Sequence, residues 1–348
     1  MEDKSLDSYQ DSLPDTLLEI ASSIDQLITT DIPLRGVIHE LYPYARTKIG
    51  MPLTLAAARA LVKAVAPTDV VFIATGWLDR PQISLEIAET DGPPGAVVLG
   101  RALQRAFNAI PFFFVEDELL TAMATVVQAA GFKVLSPQAA IRAAGSKAPI
   151  HAATVLGFPS NLEDATKAAT YLIKEYGPSA VVAVEKGGMS SDDTIHTSRG
   201  DNATEHMAKI DLLIREAKRH QILTIGVGDG GNEIGMGLIQ GRIREALPFG
   251  DIIAPVTETD CLVTATVSNW GAYGIAACLA VLLGQREVFH DAQLEERILH
   301  RCTDAGLIDG ISGYVEEGAD GLPSRVHVAL VTILAELVKQ GVSSLKKE

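Results

Sequence analysis

Residues 226–237 read GVGDGGNEIGMG, six glycines in twelve positions with Asp229, Asn232 and Glu233 standing among them. Glycine at that density lets backbone approach a bound group, so Gly228, Gly230, Gly231 and Asn232 are the expected contacts to it. The carboxylates supply hard oxygen donors. Similar acids follow other short apolar runs: Glu89 and Asp91 in ETDGPPGA, Glu116 and Asp117, and Glu185 with Asp192 and Asp193 further on. In an open parallel sheet such loops converge on one crevice. Carboxylates gathered there repel and raise one another's pKa unless protons or a cation neutralise them. A divalent ion answers that problem, and an all-oxygen donor set points to Mg²⁺, Mn²⁺ or Ca²⁺ and away from zinc. A helix after Gly231 would place Asp229 and Glu233 four residues apart on one face, close enough to share an ion.

Each piece also has a plainer reading. Asp91 could cap the helix expected near Ala96, and Glu116 and Asp117 could be a solvated helix start. Gly226, Gly228 and Gly231 match GxGxxG, with Asp251 twenty residues later, as a dinucleotide site requires. Asp229 and Glu233 would sit where the pyrophosphate belongs, so no dinucleotide is expected. The segment SNWGAYG at 268–274 is either a buried turn with Trp270 in the core or a polar island presenting Asn269. His196 is the one histidine placed near the site, and Arg199 in the same loop could grip a substrate carboxylate in a bidentate pair.

These residues need a scaffold, and the chain supplies one. From residue 52 onward, short apolar runs alternate with helical patterns, the signature of stacked βαβ units. Buried parallel strands are expected at 70–74, 111–115, 133–135, 180–184, 223–227 and 252–255, with helices at 96–107, 119–130, 162–175, 203–220, 294–304 and 326–339, then a short basic tail. The uncharged stretch 261–284 reads as a buried strand, a polar loop and a buried helix, not as a membrane span. Residues 5–46 are helical in pattern, broken at Pro33 and Gly36. The expectation is α/β: a doubly wound, mostly parallel sheet with helices on both faces, one domain over 51–348, and an N-terminal helical arm over 1–50. An exposed apolar face on that arm would suggest a homodimer.

Composition narrows the classes. At 47% hydrophobic and 21% charged the chain is globular, not disordered. A formal net charge of −15 argues against nucleic acid or an anionic membrane as partner and for a small substrate or a cation. Cys261, Cys278 and Cys302 form neither a disulfide framework nor a CxxC pair, and the acidic start lacks a signal peptide's features, so a cytoplasmic location is expected.

ETDGPPGA at 89–96 with Leu99, Gly100, Arg101 and Ala102, GVGDGGNEIGMG at 226–237 and SNWGAYG at 268–274 together resemble the D-glutamate cyclase family, in its C-terminal portion and in stand-alone microbial relatives. The likeness covers about 52–284 with the motifs in the family's order. A fourth motif looks like EKGGMSSDDTIHTSRG at 185–200, departing where Gly187, Gly188, Met189 and Ser190 replace a Gly-Pro-Ala run. The resemblance implies a metal-dependent lyase that interconverts the amino acid D-glutamate and the lactam 5-oxo-D-proline with loss or gain of water. It further implies Glu89, Asp91, Asp229 and Glu233 as metal ligands, Glu185 or His196 as base, and Arg199 on the α-carboxylate. A phosphohydrolase or other small-molecule hydrolase on the same acidic site, and a non-catalytic metabolite-binding protein, are the alternatives.

Overall fold

The computed structural model describes residues 13–146 and 150–345. The beginning of the expected arm and the residues of the basic tail after 345 lie outside them. Seven strands form one sheet: β1 (Val70–Thr75), β2 (Ile110–Val115), β3 (Lys133–Val134), β4 (Ala152–Gly157), β5 (Ala180–Val184), β6 (Leu223–Gly228) and β7 (Cys261–Thr264). Two more, β8 (Gly318–Ala319) and β9 (Leu322–Pro323), pair as a hairpin. The first helices are α1 (Asp15–Ile28), α2 (Val37–Ile49), α3 (Leu53–Ala64), α4 (Pro93–Phe107), α5 (Leu120–Ala129), α6 (Pro137–Ala144) and α7 (Leu162–Tyr176). The rest are α8 (Ile210–Arg219), α9 (Gln240–Ala246), α10 (Gly250–Ile253), α11 (Ser268–Leu283), α12 (Ala292–Asp304) and α13 (Ser324–Leu345).

The sheet order is β3-β4-β2-β1-β5-β6-β7 and every pairing is parallel, so the fold is the doubly wound α/β architecture expected. Successive strand residues point to opposite faces. Val71 and Ile73 of β1 enter the core shared with α4, α11 and α13, while Phe72 and Ala74 enter the core beneath α7 and α8. The winding reverses between β1 and β5. At that switch point the loops diverge and leave a crevice.

Several elements differ from the sequence reading. Residues 252–255 are not a strand: Phe249 turns the chain with φ 58° into the short α10. A brief apolar run has no period with which to tell strand from helix. The sequence reading did not include β4, AATVLG, in which two alanines and a glycine flank the β-branched pair Thr154 and Val155. The strand and helix expected in 261–284 exist as β7 and α11, but SNWGAYG is the opening of α11, not a loop. Trp270 is wholly buried there, its Nε1–H donating to His327 Nδ1 at 2.9 Å. Helix α8 starts at Ile210, later than expected.

The arm is helical as α1 and α2, broken between them, yet it does not stand apart. Leu17, Ala21, Ile24 and Ile28 lie in the main core. Asp25 of α1 accepts the backbone N–H groups of Leu53 and Thr54 at 2.7 and 3.2 Å and so caps α3. The apolar face that motivated a dimer is thereby covered within the chain. Helix α13 is long and apolar enough to cross a membrane on length and composition, with a third of its apolar window buried. All three cysteines are free and buried.

Candidate active site

The crevice is built first by two helix starts that cap each other. Asp91, in the loop between β1 and α4, accepts the N–H of Asn269 at 2.9 Å and of Gly92 at 3.0 Å on Oδ1, and that of Ser268 at 2.9 Å on Oδ2. Asn269, in the first turn of α11, accepts the N–H groups of Gly92 and Gly95 at 3.0 and 2.7 Å, and its Nδ2 donates to Thr90 O. Asp91 thus caps α11, not the following α4 as the sequence suggested, and Asn269 caps α4. Both positive helix ends converge on the same place. Gly92 is required there: with φ +102°, a Cβ would come within 2.8 Å of Glu185 Cβ.

Glu185 follows β5 directly, with a left-handed φ of 48°, and its Oε2 accepts the hydroxyl of Ser268. Asp229 follows β6. One carboxylate oxygen from each of Asp91, Glu185 and Asp229 lies within 4.8 Å of the others, and all three residues are buried. The switch-point loops and their neighbour therefore bring together three of the acids that the sequence singled out.

Two further residues complete the charge pattern, and sequence reasoning missed both. Arg35, in the break between α1 and α2, donates through Nη2 to Asp229 Oδ2 at 2.9 Å, to Asp320 Oδ2 at 3.1 Å and to the carbonyl of Thr266. Asp320 sits at the β8–β9 turn, where Asp320 and Gly321 have φ of 58° and 75°. The Asp-Gly pair was a visible hairpin signal.

Glu233 departs from its expected place. The loop after Gly231 is not helical, and Glu233 folds back so that Oε1 accepts the N–H groups of Asp229 at 3.0 Å and Gly230 at 2.5 Å, and Oε2 that of Gly231 at 2.8 Å. Those amides would face a phosphate or other anion if the side chain were absent. The glycines serve this fold-back: a Cβ on Gly228 would lie 2.7 Å from Glu233 Cδ, and one on Gly226 would lie 2.3 Å from Ile234 O. Asn232 donates Nδ2 to His196 O at 2.9 Å and ties the two loops together.

The remaining candidates lie outside this group of three. Glu89 is held by a bridge to Ile308, its charge felt by the cluster although it is outside the group of three. The His196 ring faces Thr194 Oγ1 at 3.4 Å, and Arg199 is exposed with Asp79 as its charged neighbour. Asp192 and Asp193 are exposed. Glu116 is not a solvated helix start: it is buried against Lys186 Nζ at 2.5 Å, whereas Asp117 is exposed.

Burial, then Asp229 and Glu233, push the Glu185 carboxyl well above its ordinary range. Burial and Asp320 do the same to Asp91 and Glu89. Asp320 is raised by burial and Asp229. Asp229 is raised by burial to about 7, with Arg35 opposing and Asp91 adding to the rise. These carboxylates are short of positive charge, Arg35 being the cation that touches them among the described residues. A hard divalent ion fits a donor set of this chemistry, and Asp91, Glu185 and Asp229 are the residues able to hold it.

The family pattern described as D-glutamate cyclase-like, C-terminal, matches residues 24–335. The chain belongs to that family. It is similar to human mitochondrial D-glutamate cyclase, with 28% identity over 278 residues, covering 72% of this chain and 42% of that protein. The chain thus matches less than half the length of this D-glutamate cyclase.

Proposed function

We propose that the chain is a metal-dependent D-glutamate cyclase-like enzyme, interconverting D-glutamate and 5-oxo-D-proline. In the forward direction the α-amine, once deprotonated, attacks the carbon of the γ-carboxyl group; a C–N bond forms, one carboxyl C–O bond breaks and that oxygen leaves as water. The observation that carries this reading is the buried trio Asp91, Glu185 and Asp229 at the switch point of a chain from this family. A divalent ion bound there would supply a Lewis acid for the γ-carboxyl.

The protein's own groups do the rest. Arg35 replaces Arg199 as the group that grips the α-carboxylate, because its guanidinium reaches the cluster and Arg199 does not. Glu89 replaces Glu185 and His196 as base: it borders the cluster, and among the described residues its carboxylate accepts no hydrogen bond, leaving it free to take the ammonium proton. The burial of the three acids keeps bulk water from them, which favours loss of water in the forward direction.

Metal analysis of the purified protein, with turnover measured on D-glutamate, 5-oxo-D-proline and a generic phosphate ester, tests the reading. Asp229→Asn is expected to lose both bound metal and turnover. Full activity in that variant, or turnover of the phosphate ester alone, would overturn it.

A further inference from the structure

A polar cavity lies towards the β3–β4 edge of the sheet, away from the acidic cluster. Its volume is about 150 Å³, and Arg101, Arg105, Gln104, Phe132, His151 and Arg297 line it. Phe132 and His151 immediately precede β3 and β4, so the cavity sits at the amino ends of the strands. Helix α4 joins the two places: its first turn faces the acidic cluster, and Arg101 and Arg105 lie in its last two turns. Fifteen residues at 1.5 Å each put the two ends about 20 Å apart.

In a chain with a net charge of −15, three arginines and a histidine around one cavity need an explanation. Arg101 needs one most. Its Nη1 is closed off from solvent and has no hydrogen-bond partner among the described residues. A buried guanidinium donor left unmet is costly, and buried polar groups without partners are rare in folded proteins. No acid lines the cavity among the described residues, although Asp291 is near enough to favour the Arg101 cation. Arg105 and Arg297 are exposed and oppose the charge on Arg101. Guanidinium forks match the oxygens of a tetrahedral oxyanion in paired hydrogen bonds.

We infer that this cavity is an anion site that takes the phosphoryl group of a small metabolite, with Arg101 as the inner donor and Arg105, Arg297 and His151 around the mouth. The site is separate from the acidic cluster and does not depend on the reaction proposed there. Anion binding would join α4 to α12 and to the edge of the sheet.

Inorganic phosphate is the probe, added to metal-free protein against chloride at matched ionic strength. Thermal unfolding should rise by about 3 °C at a hundredfold excess over the dissociation constant. Arg101→Met and the exposed Arg297→Gln should each lose most of that rise, while Asp229→Asn keeps it. Equal rises in wild type and both arginine variants would mean a general salt effect and overturn the inference. Loss of the rise in Asp229→Asn alone would place the anion at the acidic cluster and overturn it as well. Glutarate stabilising the protein as strongly as phosphate would remove the phosphoryl assignment.

Discussion

Lys186, the residue after Glu185, pairs with Glu116, and this pair gives the sharpest test of how the β5 loop is supported. Lys186 Nζ donates to both Glu116 oxygens, at 2.5 and 2.7 Å, and to the carbonyl of Gly76 at 2.8 Å. Glu116 also accepts the N–H of Ala208 at 2.8 Å. The side chains are 0% and 2% exposed, so neither charge has water to fall back on. Burial lowers the Lys186 pKa, and Glu116 works to restore it. Lys186→Met leaves the carboxylate buried without its counter-charge and the Gly76 carbonyl without its donor. Breaking one side of a buried pair costs about 3–5 kcal/mol. For 348 residues that corresponds to a loss of about 4–7 °C in Tm. Replacing both partners, Glu116→Gln with Lys186→Met, removes the isolated charge and should recover more than half of the loss. Denaturant unfolding of the two single variants and the double variant closes the cycle. A loss below about 1 kcal/mol in Lys186→Met, or strictly additive losses, would refute the claim that the pair is dry and mutually dependent.

Four other outcomes follow from the cluster. Asp229 titrates near pH 7 because burial raises it, so protons compete with a metal there: affinity for Mn²⁺ should weaken about tenfold from pH 8 to pH 6, and an affinity flat with pH would count against a carboxylate site. The same raised carboxyl penalises the metal-free fold above its unfolded pKa, so that form should gain stability as pH falls from about 7 towards 4, and metal should raise Tm more at pH 8 than at pH 6. Glu233→Gln replaces one acceptor oxygen with a donor facing the amides of residues 229–231, and should cost about 1–3 kcal/mol in unfolding experiments and weaken metal binding with it. Arg35→Gln should raise KM for D-glutamate at least tenfold while Arg199→Ala stays within about twofold of wild type; steady-state kinetics showing the reverse would return the substrate carboxylate to the loop at Arg199.

What was legible in the sequence was the local part. Apolar runs gave six of the seven sheet strands, all but β4, and the glycine and acid loops gave Asp91, Glu185 and Asp229. What was hidden depended on distant parts of the chain meeting. Arg35 belongs to an arm that folds back over the carboxyl ends of the strands, and Asp320 arrives on a hairpin nearly a hundred residues after Asp229; neither meeting leaves a local period. Lys186 follows Glu185 in EKGG, and nothing nearby in the sequence announces that Glu116 will pair with it. The segment after Gly231, which as a helix would have set Asp229 and Glu233 on one face, is not helical for a specific reason. Glu233 satisfies the amides that a helix would have left open, so the loop closes on its own side chain.

Cap and ligand are alternative roles for Asp91 in the sequence, and in the structure they are compatible. A carboxylate offers about four acceptor positions. Asp91 spends three on Gly92, Ser268 and Asn269, which fixes both oxygens and leaves one position on Oδ2. Glu185 spends one on Ser268, and Asp229 one on Arg35. The rigid acid is therefore the one that caps, and the acids with open positions stand opposite it. Capping supplies the orientation that a metal ligand needs without exhausting its oxygens. It also brings two helix N-termini against the cluster, which offsets part of the repulsion that would otherwise drive these carboxylates to take up protons. On this reasoning Asn269 is a positioning residue, since its Oδ1 accepts the Gly92 and Gly95 amides at the start of α4 and its Nδ2 donates to Thr90 O, so neither oxygen lone pair is left for a substrate. Asn269→Asp keeps the acceptor but adds a negative charge beside Asp91. It should preserve the fold while raising the metal requirement for activity, a combination that a purely structural role for Asn269 would not produce.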